Sequence, residues 1–213
     1  MLDIRLYRDS DEAAVREVCL RTGDNGQDAT GKFQDPSLVS DIYAIPYTLF
    51  EPELCFVAED TESGRVVGYI VGTSDSAAFA EWYLRHWLPQ VASRHAQPPA
   101  IVDGATSAEE WMGWRLHHPE IHPGLAAGYP GHLHINLVAE AQGMGGGRAL
   151  TERFLAAARA RGVERVHLDV APSNTGAQAF YARLGFTPVI VDEREADPGL
   201  LWRSTELDAP TSR

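Results

Sequence analysis

A run of glycines between a strand pattern and a helix pattern constrains this chain more than any other feature. Residues 137–150 read LVAEAQGMGGGRAL. The glycines in it are Gly143, Gly145, Gly146 and Gly147. They let the backbone approach a ligand closely, and the apolar periodicity from Ala149 to Ala158 predicts a helix directly behind them. Because first-turn amides and the helix dipole favour an anion, the segment predicts a pyrophosphate site to which Arg148 adds a positive charge.

A dinucleotide-binding loop and a flexible linker are the alternatives for this glycine cluster. The dinucleotide motif needs G-x-G-x-x-G after an early strand and an acidic residue about 20 positions later, and the spacing here does not match it. The helix pattern continues directly after the glycines, which argues against a flexible linker.

Strand and helix patterns alternate along the rest of the chain and predict an α/β fold, a mixed central sheet with helices on both faces. The predicted strands are Ile4–Tyr7, Cys55–Glu59, Val66–Gly72, His132–Val138, Val166–Val170, Thr187–Val191 and Leu200–Leu207. The predicted helices are one from an Asp9 N-cap to about Thr22, then Leu38–Tyr47, Ala77–Val91, Ser107–Trp114, Gln142–Arg161 and Asn174–Leu184. We expect a single domain over 1–213 with an insertion at about 76–131.

The charge balance bears on the partners of this chain. Lys and Arg number 18 against 30 Asp and Glu, a net charge of −12. An acidic field repels nucleic acid and anionic membranes and favours a cationic partner such as an amine, although it also serves solubility alone. The start MLDIRLYRDSDE lacks a signal-peptide pattern, and no run approaches the roughly 18 apolar residues of a membrane span. We therefore expect a cytoplasmic protein.

Two sequence blocks together resemble the GCN5-related N-acetyltransferase (GNAT) family. LVAEAQGMGGG is similar to the family's acetyl-CoA signature, Gln/Arg-x-x-Gly-x-Gly/Ala, carried here by Gln142, Gly145 and Gly147. VAPSNTGAQAFYARLGF is similar to its second block, in which Asn174 precedes a helix carrying Phe180 and Tyr181. The blocks occur in the family's order, and each supports the structural context of the other.

A further resemblance covers the first half of the chain. GKFQDPSLVSDIYAIPYTLFEPELCFVAEDTESGRVVGYIVGTSDSAAF resembles the acetyltransferase-like C-terminal domain of eukaryotic O-GlcNAcase. That domain is often regarded as a pseudo-enzyme without a usable glycine loop. The loop is intact here, so we expect acetyl-CoA to bind as co-substrate.

The GNAT resemblance implies the cofactor site. The backbone amides of Leu137 and Val138 would hold the pantetheine and the thioester carbonyl, and Asn174 would bind the pantetheine arm or cap a helix. The expected cofactor-binding residues are Leu137, Val138, Gln142, Gly143, Met144, Gly145, Gly146, Gly147, Arg148, Asn174, Ala177, Phe180 and Tyr181.

Three side chains are candidates for proton transfer. By resemblance, Tyr181 is the general acid beside the CoA sulfur, and its alternative is a packed aromatic next to Phe180. His132 and His134 alternate on one strand, so both point to one face. Histidine suits a base near neutral pH, although a pair with structural hydrogen bonds fits equally well. Asp169 is a weaker candidate.

The insertion offers aromatic and acidic residues that suit a cationic amine. Its tryptophans are more typical of a core than of a cleft. The acidic residues in question are Asp75, Glu81, Asp103, Glu109, Glu110 and Glu120. The spacing of His117, His118 and His122 fits no common zinc pattern, so we expect no metal.

Two functions remain open at this point. The first is an N-acetyltransferase that transfers the acetyl group to an amine acceptor by direct attack on the thioester. The second is a non-catalytic module that binds acetyl-CoA or a protein partner through the same fold, because fold does not fix function. A homodimer through the insertion is a further expectation, and the identity of the acceptor cannot be derived from the residues.

Overall fold

A seven-stranded mixed sheet forms the centre of the fold. The computed structural model describes residues 1–95, 97, 107–119, 123–189 and 201–207. The strands are β1 (Leu2–Leu6), β2 (Phe56–Asp60), β3 (Val66–Thr73), β4 (Gly131–Leu137), β5 (Arg165–Val170), β6 (Thr187–Pro188) and β7 (Leu201–Glu206). Their order is β1-β2-β3-β4-β5-β7-β6, and every neighbouring pair is antiparallel except β4 and β5.

Helices cover both faces of this sheet. They are α1 (Glu12–Leu20), α2 (Leu38–Tyr43), α3 (Ile45–Phe50), α4 (Ser76–Trp82), α5 (Leu88–Val91), α6 (Ala108–His117), α7 (Pro123–Gly128), α8 (Gly146–Ala160) and α9 (Thr175–Arg183). One buried cluster joins β3 to the helices of the first half, and a second joins the sheet to α8 and α9. The predicted mixed sheet with helices on both faces is confirmed.

Strand β3 is buried on both faces and separates the two clusters. Tyr69 and Val71 lie in the first cluster and Ile70 in the second, as the period of two in a strand requires. A Cβ placed on Gly72 would lie 2.6 Å from the ring of Phe154. Glycine at this position therefore allows α8 to pack directly against the strand.

The predicted helix Leu38–Tyr47 is wrong in its second half. The backbone breaks at Ala44, with φ −135° and ψ −63°, and a new helix begins at Ile45. Pro46 lies in the first turn of α3, where its missing N–H removes no helical hydrogen bond. Proline thus begins a helix here instead of ending one, and Tyr47 follows it with 4% of its surface exposed.

Other element boundaries also differ from the predictions. Asp9 begins a short 3₁₀ turn, and α1 begins only at Glu12. The predicted helix Ala77–Val91 is interrupted by a π-helical turn over Tyr83–Trp87. Helix α7 lies in a stretch for which no helix was predicted. The strand predicted over Thr187–Val191 is described only to Pro188, and its last two residues lie outside the described part.

Within the described ranges, no helix is long and apolar enough to cross a bilayer.

Candidate active site

Strands β4 and β5 separate at the centre of the sheet. Only two residue pairs join them, Gly131 with Val166 and His132 with His167. On its other edge, β4 pairs with β3 as far as Leu137. The edge of β4 that faces β5 is therefore open beyond His132.

The backbone amides along this open edge alternate in direction. The amide of Val138 donates to the carbonyl of Val67 at 3.0 Å, so it faces β3 and is not available to a ligand. Because successive amides of a strand point to opposite edges, the amides of Leu137 and Ile135 face the gap. The structure thus corrects the expectation for Val138, keeps Leu137, and adds Ile135.

The glycine loop continues from the end of β4 into α8. Gly143 and Gly145 adopt left-handed conformations, with φ of +78° and +84°. Gly145 is the N-cap of α8, which begins at Gly146 and not at the predicted Gln142. Such a turn directs the first amides of the helix outward, where they suit an anion. The candidate anion site would thus consist of backbone amides, and pyrophosphate binding there stays a prediction.

Two side chains around the glycine loop, Gln142 and Arg148, form hydrogen bonds, and a third, Met144, is exposed. Gln142 Nε2 donates to the carbonyl of Leu137 at 3.1 Å, which fixes the turn between strand and loop. Arg148 Nη1 donates to Glu152 at 3.3 Å along the exposed face of α8. Met144 is 53% exposed at the tip of the loop. Arg148 is therefore near the first-turn amides but already engaged with a carboxylate.

The two sequence blocks meet at the first turn of α8. A Cβ placed on Gly147 would lie 3.2 Å from Phe180, and one placed on Gly146 would lie 2.9 Å from Leu137. The loop, the end of β4 and α9 therefore pack as one unit, and only glycine fits at the contact without displacement.

Asn174 begins the second block as a helix cap. Its Oδ1 accepts from the amide of Ala177 at 3.0 Å, and α9 begins at the next residue, Thr175. The side-chain amide nitrogen lies 3.4 Å from the carbonyl of Asn25. The capping interpretation of Asn174 is confirmed, and a contact with pantetheine stays a prediction.

Tyr181 of α9 is buried in the cluster that joins the sheet to α8 and α9. It is 8% exposed and contacts the rings of Phe180 and Phe186, with centroids 5.3 and 5.6 Å away. Burial, helped by the negative charge of Asp169, raises the pKa of Tyr181 well above its usual value. The phenol is therefore protonated at neutral pH, as a proton donor must be.

A cavity lies at the opposite end of β4, against α3, α4 and α6. It extends along the strand from His132 to His134, and Asp169 of β5 forms part of its wall. The other polar and aromatic side chains that line it include Tyr43, Tyr47, Phe79, Tyr83, Arg115 and His167. The cavity borders the same gap as the glycine loop, so a cofactor in the gap would meet a second ligand here.

His132 and His134 point to the same face of β4 and meet at one hydroxyl. Tyr47 Oη lies 2.8 Å from His132 Nε2 and 3.0 Å from His134 Nε2. The other nitrogen of His132, Nδ1, lies 2.7 Å from Ser76 Oγ. Both nitrogens of His132 are thus occupied by protein groups, whereas Nδ1 of His134 forms no hydrogen bond with any described residue.

Both histidines are neutral at physiological pH. Burial lowers the pKa of His134 to about 4, against the opposing charge of Asp169. Burial also lowers the pKa of His132 well below its usual value, with smaller contributions from His167 and His134. A neutral imidazole carries a lone pair, so His134 can accept a proton from a molecule in the cavity.

The acidic residues of the insertion do not line this cavity in the described part of the chain. Asp75 caps α4, Glu110 closes a capping box with Ser107, Glu81 pairs with Arg85, and Glu109 accepts from the amide of Gln34. Asp103 and Glu120 lie outside the described residues.

The tryptophans of the insertion serve packing instead of the cavity. Trp87 is 5% exposed and donates to the carbonyl of Asp41 at 2.8 Å. Trp111 and Trp114 stack on each other, and Trp114 also stacks on His118. None of the tryptophans lies among the cavity residues.

Sequence reasoning missed two contributors to this site, Tyr47 and Ser76. They belong to α3 and α4, far from either block, and a single sequence gives no sign that they meet His132 and His134. The alternation of the two histidines was the available signal, because it predicted one shared face that some partner must cover.

The sequence model of the acetyltransferase (GNAT) family matches residues 26–186, most of the chain. The solved structure of SsHAT is 40% identical, with a TM-score of 0.87, over 97% of this chain and 98% of that one. The structure of yncA from Salmonella typhimurium, solved with its cofactor acetyl-CoA, shares the fold at 17% identity and a TM-score of 0.55, covering 99% and 96% of the two chains.

Two curated mycothiol acetyltransferases match parts of the chain. The protein of Beutenbergia cavernae is 53% identical over 58 residues, which are 27% of this chain and 20% of that protein. The protein of Geodermatophilus obscurus is 40% identical over 105 residues, which are 46% and 33%. The matches thus span a third or less of these relatives. The family match, together with the sheet and the glycine loop, shows that this chain belongs to the acetyltransferase (GNAT) family.

Proposed function

We propose that this chain is an acetyl-CoA-dependent N-acetyltransferase that transfers the acetyl group directly to an amine. The observation that carries the proposal is the position of neutral His134 in a cavity beside the gap of the sheet, with an Nδ1 lone pair to which no described residue donates a hydrogen bond. A module that only bound acetyl-CoA would need the loop and the gap, but it would not need a base that faces a second cavity.

The residues divide the chemistry between the two ends of β4. The amides of residues 143–148 would hold the pyrophosphate, and the amides of Ile135 and Leu137 would hold the pantetheine and the thioester carbonyl. The attacking nitrogen forms a bond to the carbonyl carbon while the carbon–sulfur bond breaks. The nitrogen loses a proton to His134 Nδ1, and the thiolate takes one from Tyr181, so the protons balance.

The low pKa of His134 defines which proton it accepts. An imidazole with a pKa of about 4 is too weak a base to deprotonate a free ammonium efficiently. It is better matched to the more acidic nitrogen of the tetrahedral adduct. The acceptor would therefore lose its first proton to water and its second to His134 during attack.

The acceptor is proposed to be positively charged in solution and to enter beside residues 76–131. Residues of α4, α6 and α7 line the cavity, and the net charge of −12 favours capture of a cation. Small amines, aminosugars, lysines and protein N-termini are the classes to be tested.

The second candidate is a non-catalytic acetyl-CoA-binding or interaction module. It stays open because fold does not fix function, and the resemblance to the C-terminal domain of O-GlcNAcase stays a prediction. An assay of CoA release and acetylated product, with acetyl-CoA and each acceptor class, separates the two functions. We expect turnover with one class and a loss of about 100-fold or more in His134→Gln. Acetyl-CoA binding without turnover on any class would support the non-catalytic module.

A further inference from the structure

A chain of hydrogen bonds runs from the backbone of Pro130 to His134 and ends at the cavity. Ser76 Oγ lies 2.7 Å from the carbonyl of Pro130 and 2.7 Å from His132 Nδ1. Tyr47 Oη then joins the two histidines. Every link is at hydrogen-bond distance, so the proton positions along the chain depend on one another.

The carbonyl at one end sets the direction of every link. The 2.7 Å between Ser76 Oγ and the carbonyl oxygen of Pro130 requires a proton between the two oxygens. Because a carbonyl only accepts, that proton is the single hydroxyl proton of Ser76. Ser76 Oγ therefore accepts from His132, whose proton lies on Nδ1. Neutral His132 then has its lone pair on Nε2, and it accepts from the Tyr47 hydroxyl.

The remaining link fixes the tautomer of His134. Tyr47 donates its single hydroxyl proton to His132, so its oxygen accepts from Nε2–H of His134. A neutral imidazole with a proton on Nε2 has its lone pair on Nδ1. That nitrogen is the one that forms no hydrogen bond with the described residues.

We infer that Ser76 and Tyr47 are positioning residues that hold His134 in the Nε2–H tautomer, so that Nδ1 faces the cavity as the proton acceptor. The inference rests on the proposed function for its catalytic meaning, but the tautomer itself is a property of the protein without ligands. Both residues line the cavity, but in this chain each affects the proton of His134 only through hydrogen bonds to the two histidines.

Removal of the Ser76 hydroxyl should reverse the donor and acceptor roles along this chain of hydrogen bonds. In Ser76→Ala, His132 loses the acceptor for Nδ1–H and gains more by donating from Nε2 to Tyr47. Tyr47 then donates to His134 Nε2, and the proton of His134 moves to Nδ1. The backbone amide of residue 76 still donates to Pro130 at 2.8 Å, which preserves the start of α4.

The test is NMR spectroscopy of the full chain with ¹⁵N-labelled histidine, in which the two ring nitrogens report the tautomer directly. His132→Gln and His134→Gln assign the signals. We expect His132 with its proton on Nδ1 and His134 with its proton on Nε2 in the wild type, and both reversed in Ser76→Ala. Tyr83→Phe is the matched control for the spectrum, because Tyr83 is also a buried cavity tyrosine but donates to the carbonyl of Leu116 at 3.0 Å.

Kinetics supply the second readout. Ser76→Ala should lower kcat at least about 10-fold, within the range of a lost base, with little change in KM for acetyl-CoA. A wild-type His134 with its proton on Nδ1, or a Ser76→Ala protein that keeps the wild-type tautomers, overturns the inference. Should Ser76→Ala fail to fold, the wild-type spectrum and Tyr47→Phe, which should leave the His134 tautomer mixed, decide it.

The two proposals fail in different ways. If both histidines show the expected tautomers but the protein acetylates no amine, the proposed function is refuted and the inference about the hydrogen-bond chain is not. Amine acetylation by a protein whose His134 has the opposite tautomer would refute only the inference.

Discussion

The two ends of β4 differ in the groups that form their candidate sites, which are backbone amides at one end and side chains at the other. At its carboxyl end the candidate cofactor site consists of backbone, namely the amides on the open edge and the glycine turn before α8. At its amino end the cavity consists mainly of side chains from α2, α3, α4, α6, α7, β4 and β5. The first region is contiguous in sequence, whereas the second gathers residues from across the chain.

This difference has a physical reason. Pyrophosphate and a thioester carbonyl can be bound by N–H groups, which every residue but proline has, so the sequence needs only glycines to expose them. An acceptor is distinguished by hydrogen bonds and shape, which require particular side chains at particular distances. Backbone sites therefore appear as local motifs, and side-chain sites appear only after folding.

The largest expected effect tests the backbone end. We expect Gly145→Leu to abolish detectable acetyl-CoA binding, because φ of +84° disfavours any side chain and leucine would cover the first-turn amides. Gly162→Leu at the other end of α8 is the matched control, since its φ is +81° and neither glycine has neighbouring atoms within 4 Å of an added Cβ. Calorimetry should show unchanged affinity in the control only. Unchanged affinity in folded Gly145→Leu would contradict the site.

The next effect concerns Tyr181 of α9. Tyr181→Phe should lower turnover by about 100- to 10,000-fold, the usual contribution of a general acid, with little change in acetyl-CoA affinity. The phenol is protonated because burial raises its pKa, so phenylalanine removes the donor and keeps the ring packing. Equal turnover at saturating substrates would exclude Tyr181 from the chemistry.

A smaller effect is expected on the acceptor side, in the dependence of kcat/KM on salt. With the acceptor class identified, kcat/KM should decrease as ionic strength rises past about 0.1 M, where the Debye length is about 10 Å. We expect a change below about 10-fold, because the described acids of the insertion are exposed or engaged in caps. A neutral acetyl-accepting analogue is the control. A salt-independent kcat/KM for the cation would remove electrostatic capture and leave the cofactor site unaffected.

The smallest effect is on stability. Because folding lowers the pKa of His134 from about 6.5 to about 4, the unfolded chain binds a proton in this range that the folded chain does not. Folding stability should therefore decrease as pH falls from about 6.5 toward about 4. His134→Gln should reduce the fall in melting temperature over this range by roughly 10 °C, at about 2–4 °C per kcal/mol. Parallel melting curves against pH for both proteins would contradict the low pKa.

The sequence predicted the local parts of this molecule and missed the parts that depend on packing. The glycine turn, α8 and α9 follow from motifs and periodicity over adjacent residues. The predicted helix Leu38–Tyr47 was wrong because proline both ends and begins helices, and only the break at Ala44 shows that Pro46 begins one. Val138 was assigned a ligand amide, whereas the register with Val67 turns that amide toward β3. The pairing of strands that are distant in sequence set this direction.

The gap between β4 and β5 also has a mechanical consequence. The antiparallel half β1–β4 and the half formed by β5, β7 and β6 are coupled across the sheet by two residue pairs. Such a junction lets the halves fluctuate against each other, and the edge amides of Ile135 and Leu137 should exchange hydrogen with solvent readily. A ligand that hydrogen-bonds to them would act as a substitute strand. Cofactor binding would then stiffen the whole sheet, and the cavity at its far end would be best ordered when the acetyl group is already in place.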